Sequence, residues 1–153
     1  MANTYTQLFV QLVFAVQGRE SLIPKSNRES IHKYITSVVQ NDEHKMLSLF
    51  CMPDHIHLFV GLNPDIAISN LVLDIKRAST NFIKDNKLSH APFHWQKGYG
   101  AFSYSKSHVS NVVEYILNQE AHHAKKTFRQ EYLEFLEKFE VEYNEKYLFE
   151  FYG

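Results

Sequence analysis

Two histidines separated by one residue, His55 and His57, are the first candidates for chemistry in this 153-residue sequence. They follow the turn residues Pro53 and Asp54, in an alternating segment that is typical of a β-strand. Side chains two apart point to the same face of a strand, so the imidazoles are expected side by side, with aliphatic residues on the opposite face. Two neutral imidazoles so placed can share one divalent cation. The alternative is a pair of polar residues on a solvent-facing strand.

A second group of polar residues lies on a predicted helix. Tyr115, Gln119 and His122 are four and three residues apart, so they share one face of that helix. The apolar face of the same helix is a different one and contains Val109, Val112, Val113 and Ile116. If the polar face lies against the sheet, Gln119 becomes a third ligand beside the histidines, and Tyr115, one turn earlier, lies next to the metal. The alternative is an ordinary polar helix surface.

The apolar pattern predicts the elements that must position these residues. Their order is β-α-β-β-α-β followed by an added helix, which is the order of the split βαβ, or ferredoxin-like, fold. We therefore predict an α+β domain with a four-stranded antiparallel sheet and two helices on one face. The third helix, which carries Tyr115, is expected on or near the other face. The predicted strands cover residues 7–16, 45–51, 55–60 and 101–104, and the predicted helices begin near residues 26, 68 and 105.

Length and composition indicate one folded domain, with 44% hydrophobic and 14% aromatic residues. Residues 131–153 contain seven Glu and two Lys, whereas the preceding residues carry a net charge of +4. We expect residues 1–125 to form the functional domain. Residues 126–153 are then an acidic extension packed on it, which either serves as structure or keeps DNA from one surface. A single cysteine, no run of 18 apolar residues and no secretion signal favour a cytoplasmic protein without membrane contact.

The two motifs together resemble those of a known superfamily. The run His55-Ile56-His57 resembles the His-hydrophobic-His motif of the HUH endonucleases. The run from Tyr115 to Gln119 resembles the Tyr-x-x-x-Gln helix of single-tyrosine transposases, which move insertion sequences as single-stranded DNA and are related to REP-associated tyrosine transposases. The resemblance extends over nearly the whole chain. The flanking segments that agree are residues 52–57, 74–76 and 95–100.

This resemblance implies a mechanism and a partner. His55, His57 and Gln119 would bind one Mg²⁺ or Mn²⁺, and Tyr115 would be the nucleophile. Its attack on phosphorus would release a 3′-hydroxyl and leave a 5′-phosphotyrosine, so the protein would cleave and rejoin single-stranded DNA at hairpin-flanked ends without ATP. The resemblance also implies a homodimer with composite active sites, in which the tyrosine acts in cis or in trans.

Further residues are candidates for DNA contact or for the surroundings of the site. The basic candidates for phosphate contacts are Lys76, Arg77, Lys84, Lys97 and Lys106, and the aromatic candidates for stacking on unpaired bases are Phe93, Trp95 and Tyr99. The alternatives are a solvated face for each basic residue and loop packing for each aromatic residue. His122 and His123 lie either near the metal or at the end of their helix, where cationic groups suit the helix dipole. We expect the helix end for His123, and both alternatives stay open for His122. Asp54 is interpreted as a turn residue.

Three other functions stay open at this point. A domesticated relative would nick and join repeat DNA without moving its own element. A non-catalytic ferredoxin-like module would bind nucleic acid on an open sheet face through aromatic pairs, and histidines on that face argue against it. A structural metal-binding protein predicts that Tyr115 is dispensable.

Overall fold

The computed structural model describes residues 3–18, 23–89 and 92–152 and contains a four-stranded antiparallel sheet. The sheet order is β2-β3-β1-β4, so β1 and β3 are the central strands. The predicted fold class is confirmed. The first strand is shorter than predicted, because Val16 forms only an isolated bridge with Trp95. The strands are β1 (Phe9–Ala15), β2 (Lys45–Cys51), β3 (His55–Gly61) and β4 (Gly100–Tyr104).

Two helices, α1 (Arg28–Asn41) and α2 (Ile68–Asp85), pack together and against one face of the sheet. Their apolar residues recur at helical spacing, and the buried set of α2 includes Leu71, Ile75 and Ile83. The even-numbered residues of β1 and β3 belong to the same core. The fully buried members on the strands are Leu12, Phe14, Ile56, Leu58 and Val60. The alternation in the sequence therefore places the odd-numbered residues of both strands on the opposite face.

The opposite face is covered by three further helices: α3 (Val109–Leu117), α4 (Gln119–His123) and α5 (Phe128–Lys138). The predicted third helix is interrupted at Asn118, which has φ −99° and ψ 24° and separates α3 from α4. A capping box fixes the start of α5, because Thr127 Oγ1 accepts from the Gln130 N–H at 3.2 Å and Gln130 Oε1 accepts from the Thr127 N–H at 2.9 Å. In the described ranges, none of the helices combines the length and apolar character needed to cross a membrane.

The acidic C-terminal segment packs on the domain through its apolar residues. Phe128 and Phe135 of α5 are buried, and Phe128 contacts Phe149 and Phe151 from the end of the chain. A side chain at position 100 would meet Tyr132 Oη at 2.8 Å, so Gly100 allows α5 to approach β4 closely. One acidic residue of α5, Glu131, is buried with these apolar residues.

Candidate active site

His55 and His57 lie side by side on the face of β3 that α3 to α5 cover. Their ring centroids are 5.1 Å apart, and the residues are only 1% and 0% exposed. The strand is therefore central and buried, and the two histidines do not face solvent. His55 stacks on Phe128 of α5 at 3.8 Å between centroids. Both imidazoles are held in fixed positions between the sheet and the C-terminal helix.

Glu131 of α5 lies at the centre of the histidines, although it is 74 residues from His57 in sequence. Its Oε1 atom is 2.9 Å from His57 Nε2, 3.1 Å from His123 Nε2 and 3.6 Å from His55 Nε2. Ligand atoms of these four residues all lie within 4.8 Å of one another. Imidazole nitrogens with one carboxylate form a donor set that suits a divalent metal. The site is thus intramolecular and includes a residue of the acidic extension.

The second nitrogen of His55 provides a test of whether a cation fits. His55 Nδ1 is 2.7 Å from Asp54 Oδ1, so the ring donates its N–H to this carboxylate. His55 Nε2 then has a lone pair, and this buried atom has no hydrogen-bond partner within the described part of the chain. A carboxylate on one imidazole nitrogen and a free lone pair on the other is the usual arrangement of a metal-binding histidine. The residues therefore fit a cation, and Asp54 has a positioning role beyond the turn expected for it.

Tyr115 and Gln119 are both in contact with Glu131. The Tyr115 hydroxyl donates to Glu131 Oε2 and is 3.1 Å from His122 Nε2. Gln119 is fully buried, with Nε2 3.3 Å from Glu131 Oε2 and Oε1 2.9 Å from His123 Nε2. The predicted helix face is therefore directed at the histidines. The amide of Gln119 is hydrogen-bonded within the cluster.

The charges of the cluster are interdependent. Burial opposes ionisation of Glu131, but the neighbouring His57 and the hydrogen bonds from His123 and His57 outweigh it and hold the Glu131 pKa far below its ordinary value. Burial lowers the pKa of His123, but its hydrogen bond to Glu131 and the charge of that carboxylate produce a net increase. Burial also lowers the pKa of His55. The cluster therefore pairs the Glu131 carboxylate, whose ionised form is favoured, with the His123 imidazole, whose protonated form is favoured.

The Tyr115 hydroxyl is strongly biased towards the neutral form. Burial, the negative charge of Glu131 and the hydrogen bond to that carboxylate all raise the pKa of Tyr115 well above its ordinary value. Formation of a phenolate therefore needs additional positive charge in the site.

A cavity of about 330 Å³ adjoins the Tyr115 hydroxyl. Its walls combine aromatic surface with hydrogen-bonding side chains of α3 and α5. Among its lining residues are Gln11, Tyr104, His108, Asn111, Phe135 and Lys138. Exposed residues such as Asn111 and Lys138 form its rim, so the cavity connects the surface with Tyr115.

Some candidates for DNA contact have other roles in the structure. Lys76 Nζ donates to the backbone oxygens of Gln96 at 2.8 Å and Gly98 at 2.7 Å, and burial lowers its pKa to about 8. Trp95 donates to Ser79 Oγ at 2.9 Å, and its ring packs on Phe14 and Phe93. These two side chains therefore stabilise the loop that precedes β4. The candidates that remain exposed are Arg77, Lys84, Lys97, Tyr99 and Lys106.

The sequence patterns did not point to Glu131, and of the two alternatives for His123 the helix end was expected. His123 does end α4, but its Nδ1 donates to the Lys126 carbonyl oxygen at 2.8 Å and its Nε2 faces the cluster. One feature of the sequence does single out Glu131. It occupies an inward position in the stripe formed by Phe128, Glu131, Tyr132 and Phe135, whereas the other acidic residues of α5 lie on the exposed face.

Comparisons with known proteins bear on the family and the fold of this chain. The family model "Transposase IS200 like" matches residues 4–119. A candidate transposase from Deinococcus radiodurans R1 has a similar solved structure, with TM-score 0.57, 20% identity and coverage of 76% of this chain and 94% of that chain. A REP-associated tyrosine transposase bound to a REP hairpin is also similar, with TM-score 0.60, 16% identity and coverage of 79% and 72%. No curated relative matches the chain. The two structures support the fold, and the family match over most of the sequence shows that this chain belongs to the IS200-like transposases.

Proposed function

We propose that this DNA transposase cleaves and rejoins single-stranded DNA at hairpin-flanked ends through a covalent bond to Tyr115. The observation that carries the proposal is the position of the Tyr115 hydroxyl. It lies between a cavity that reaches the surface and a buried cluster containing His55, His57 and Glu131. In this proposal the nucleophile, the cation-binding group and the space for the DNA strand therefore lie next to one another.

Tyr115 supplies the nucleophile in this proposal. A bond forms between Tyr115 Oη and phosphorus, the bond from phosphorus to the 3′-oxygen breaks, and the 3′-oxygen takes up a proton. The strand then remains attached as a 5′-phosphotyrosine, which preserves the bond energy for rejoining. The Tyr115 hydroxyl donates a hydrogen bond to Glu131 Oε2, and His122 Nε2, 3.1 Å from the hydroxyl, is the nearby group that would take up its proton. His122 therefore takes the near-site position that the sequence left open.

The metal of the proposal is Mg²⁺ or Mn²⁺, held by His55 and His57. Gln119, the third ligand implied by the resemblance, lies beside them, and Glu131 and His123 are further candidates. A divalent cation bound there would supply positive charge to the scissile phosphate and to the phenolate. A set of imidazoles with a single carboxylate favours Mn²⁺ over Mg²⁺, because Mg²⁺ prefers oxygen ligands.

Hairpin DNA is the proposed partner, supported by the similar REP-associated transposase that is bound to a REP hairpin. The exposed residues Arg77, Lys97, Tyr99 and Lys106 remain candidates for contacts with it. A homodimer with composite sites also remains a proposal. Within one chain the Tyr115 ring is already 6.1 Å from the His57 ring, so action in cis needs no second subunit. Residues 126–153 are proposed as an extension of the same domain.

The same neighbour favours a second function, that of a domesticated relative that nicks and joins repeat DNA. Its chemistry at Tyr115 would be identical. The non-catalytic module is less compatible with the geometry, because α3 covers the sheet face on which such modules bind nucleic acid, burying Phe59 against Val112 and Ile116.

A covalent adduct tests the proposal directly. End-labelled single-stranded hairpin DNA is mixed with the protein and Mn²⁺, and a labelled protein band is sought on a denaturing gel. The wild type and Tyr147→Phe should form the adduct, since the Tyr147 side chain is 79% exposed, outside the buried cluster. Tyr115→Phe should form none. An adduct with Tyr115→Phe would show that another residue is the nucleophile.

A further inference from the structure

A buried glutamine on the central strand connects His57 with the wall of the cavity. Gln11 is fully buried on β1, on the same face as His57 and Tyr104. Its Nε2 is 2.9 Å from His57 Nδ1, and its Oε1 accepts from the Tyr104 hydroxyl at 2.9 Å. A buried amide is unfavourable unless both of its ends are hydrogen-bonded, and here the partners are a site histidine and a cavity residue.

The hydrogen bonds of the structure run in one direction along this chain of side chains. Tyr104 donates to Gln11 Oε1, and Gln11 Nε2 donates to His57 Nδ1. His57 Nδ1 is therefore an acceptor, so the single proton of the neutral ring is on Nε2. That N–H donates to Glu131 Oε1 at 2.9 Å. His57 thus has no lone pair available on the nitrogen that faces the cluster.

His55 differs from His57 in this respect. Its Nδ1 faces the Asp54 carboxylate, which can only accept when it is ionised. His55 therefore keeps its Nε2 lone pair directed at the cluster. For His57 to present the same lone pair, its proton must move to Nδ1, and the atom on that side must be an acceptor. A rotation of the Gln11 amide group by about half a turn supplies this acceptor, because it exchanges the positions of the accepting oxygen and the donating nitrogen.

We propose that Gln11 is a positioning residue that decides which nitrogen of His57 carries the proton, and that metal binding reverses the chain of hydrogen bonds from Tyr104 through Gln11 to His57. After reversal, His57 Nδ1 donates to Gln11 Oε1, and Gln11 Nε2 donates to Tyr104 Oη. The Tyr104 hydroxyl proton is then directed into the cavity, where a phosphate oxygen of the bound strand can accept it. The proposal rests on the metal role in the proposed function.

Metal affinity measured without DNA tests the role of Gln11. Gln11→Met removes the acceptor for His57 and should weaken Mn²⁺ binding about 10- to 100-fold, as loss of such a supporting partner usually does. Gln11→Glu supplies a permanent acceptor and should strengthen Mn²⁺ binding several-fold. Loss of packing would not change the Mn²⁺ affinity in opposite directions in the two variants. Gln96→Met is the matched control, because Gln96 is another buried glutamine bonded only to backbone groups, and its Mn²⁺ affinity should equal that of the wild type.

The tautomer of His57 gives a second readout that needs no variant at position 11. In ¹⁵N spectra of histidine-labelled wild type, with His57 assigned from His57→Gln, the ring should carry its proton on Nε2 without metal and on Nδ1 with Zn²⁺. A metal-free ring protonated on Nδ1 would overturn the proposal, as would Gln11→Met and Gln11→Glu proteins that bind Mn²⁺ within twofold of the wild type. If the wild type binds neither Mn²⁺ nor Zn²⁺, both the proposed metal site and the proposed role of Gln11 are wrong. If the wild type binds both ions but the Gln11 variants have its Mn²⁺ affinity, only the proposed role of Gln11 is wrong.

Discussion

Replacing Glu131 by Gln removes one charge from the centre of the cluster while preserving the shape of the side chain. The carboxylate accepts from His57 at 2.9 Å, from His123 at 3.1 Å and from the Tyr115 hydroxyl. A hydrogen bond to a charged group contributes about 1.5–3 kcal/mol, against about 1 kcal/mol for a neutral one. Breaking a buried ion pair by removing one partner costs about 3–5 kcal/mol. We therefore expect Glu131→Gln to lower the free energy of unfolding by about 3 kcal/mol, as the combined effect of weakening these three contacts.

Thermal unfolding at pH 7 measures this loss. For a domain of this size, about 3 kcal/mol lowers Tm by roughly 6–12 °C. A second measurement adds Mn²⁺ at about 100 times its Kd, which should stabilise the wild type by about 2.7 kcal/mol through binding to the folded state alone. The Glu131→Gln protein should gain much less, because the only carboxylate of the ligand group has been removed.

Glu134→Gln is the matched control for this experiment. Glu134 lies one turn further along α5, its side chain is 59% exposed, and its ion pair with Lys126 is at the surface. Surface pairs contribute about 0–1 kcal/mol, so Tm should fall by no more than a few degrees and the Mn²⁺ effect should be unchanged. If Glu131→Gln unfolds at the wild-type temperature with the full Mn²⁺ shift, then Glu131 is neither a central charge nor a ligand.

Three further predictions follow from buried polar groups. His32 accepts a hydrogen bond from the Cys51 N–H, and burial lowers its pKa from 6.5 to about 4. Neutral His32 therefore stabilises the protein fully above pH 6.5, and this contribution is lost as the pH falls from 6.5 through 4. His32→Gln should flatten the dependence of Tm on pH between pH 6.5 and 4, and an unchanged slope would contradict this prediction. Asp54→Asn should weaken Mn²⁺ binding about 10-fold in titration calorimetry, since His55 loses its carboxylate partner. Lys76→Met should lower the free energy of unfolding by about 1–3 kcal/mol and leave the salt dependence of DNA binding unchanged, because its ammonium group bonds the loop carbonyls.

Local patterns were enough to predict the two halves of the candidate site. The alternation in β3 predicted that His55 and His57 share a face, and the spacing of Tyr115 and Gln119 predicted a common helix face. Both predictions depend only on the geometry of one strand or one helix. The interruption at Asn118 was not predicted, yet it leaves the two residues directed at the same carboxylate. The ferredoxin-like order likewise followed from local periodicity.

Contacts between distant segments could not be read from those patterns. The role of Lys76 depends on the path of the loop at residues 96–98. The role of Trp95 depends on its packing between Ser79 and Phe14. A lysine on an amphipathic helix has the same sequence signature whether its ammonium group meets water, phosphate or backbone oxygen. Its partner is decided by the packing of segments that are separate in the chain.

The sequence by itself determined the order of the elements, the paired histidines, the tyrosine helix and the resemblance to a family. The tertiary structure decided that the acidic extension contributes Glu131 to the histidines. The physical reason is that α5 packs by burying its aromatic stripe, with Phe128 on His55 and Phe135 near His57, and this docking carries the one inward carboxylate into the site. It also decided that Gln11 Nε2 lies 2.9 Å from His57 Nδ1, because this contact exists only when β1 and β3 are paired.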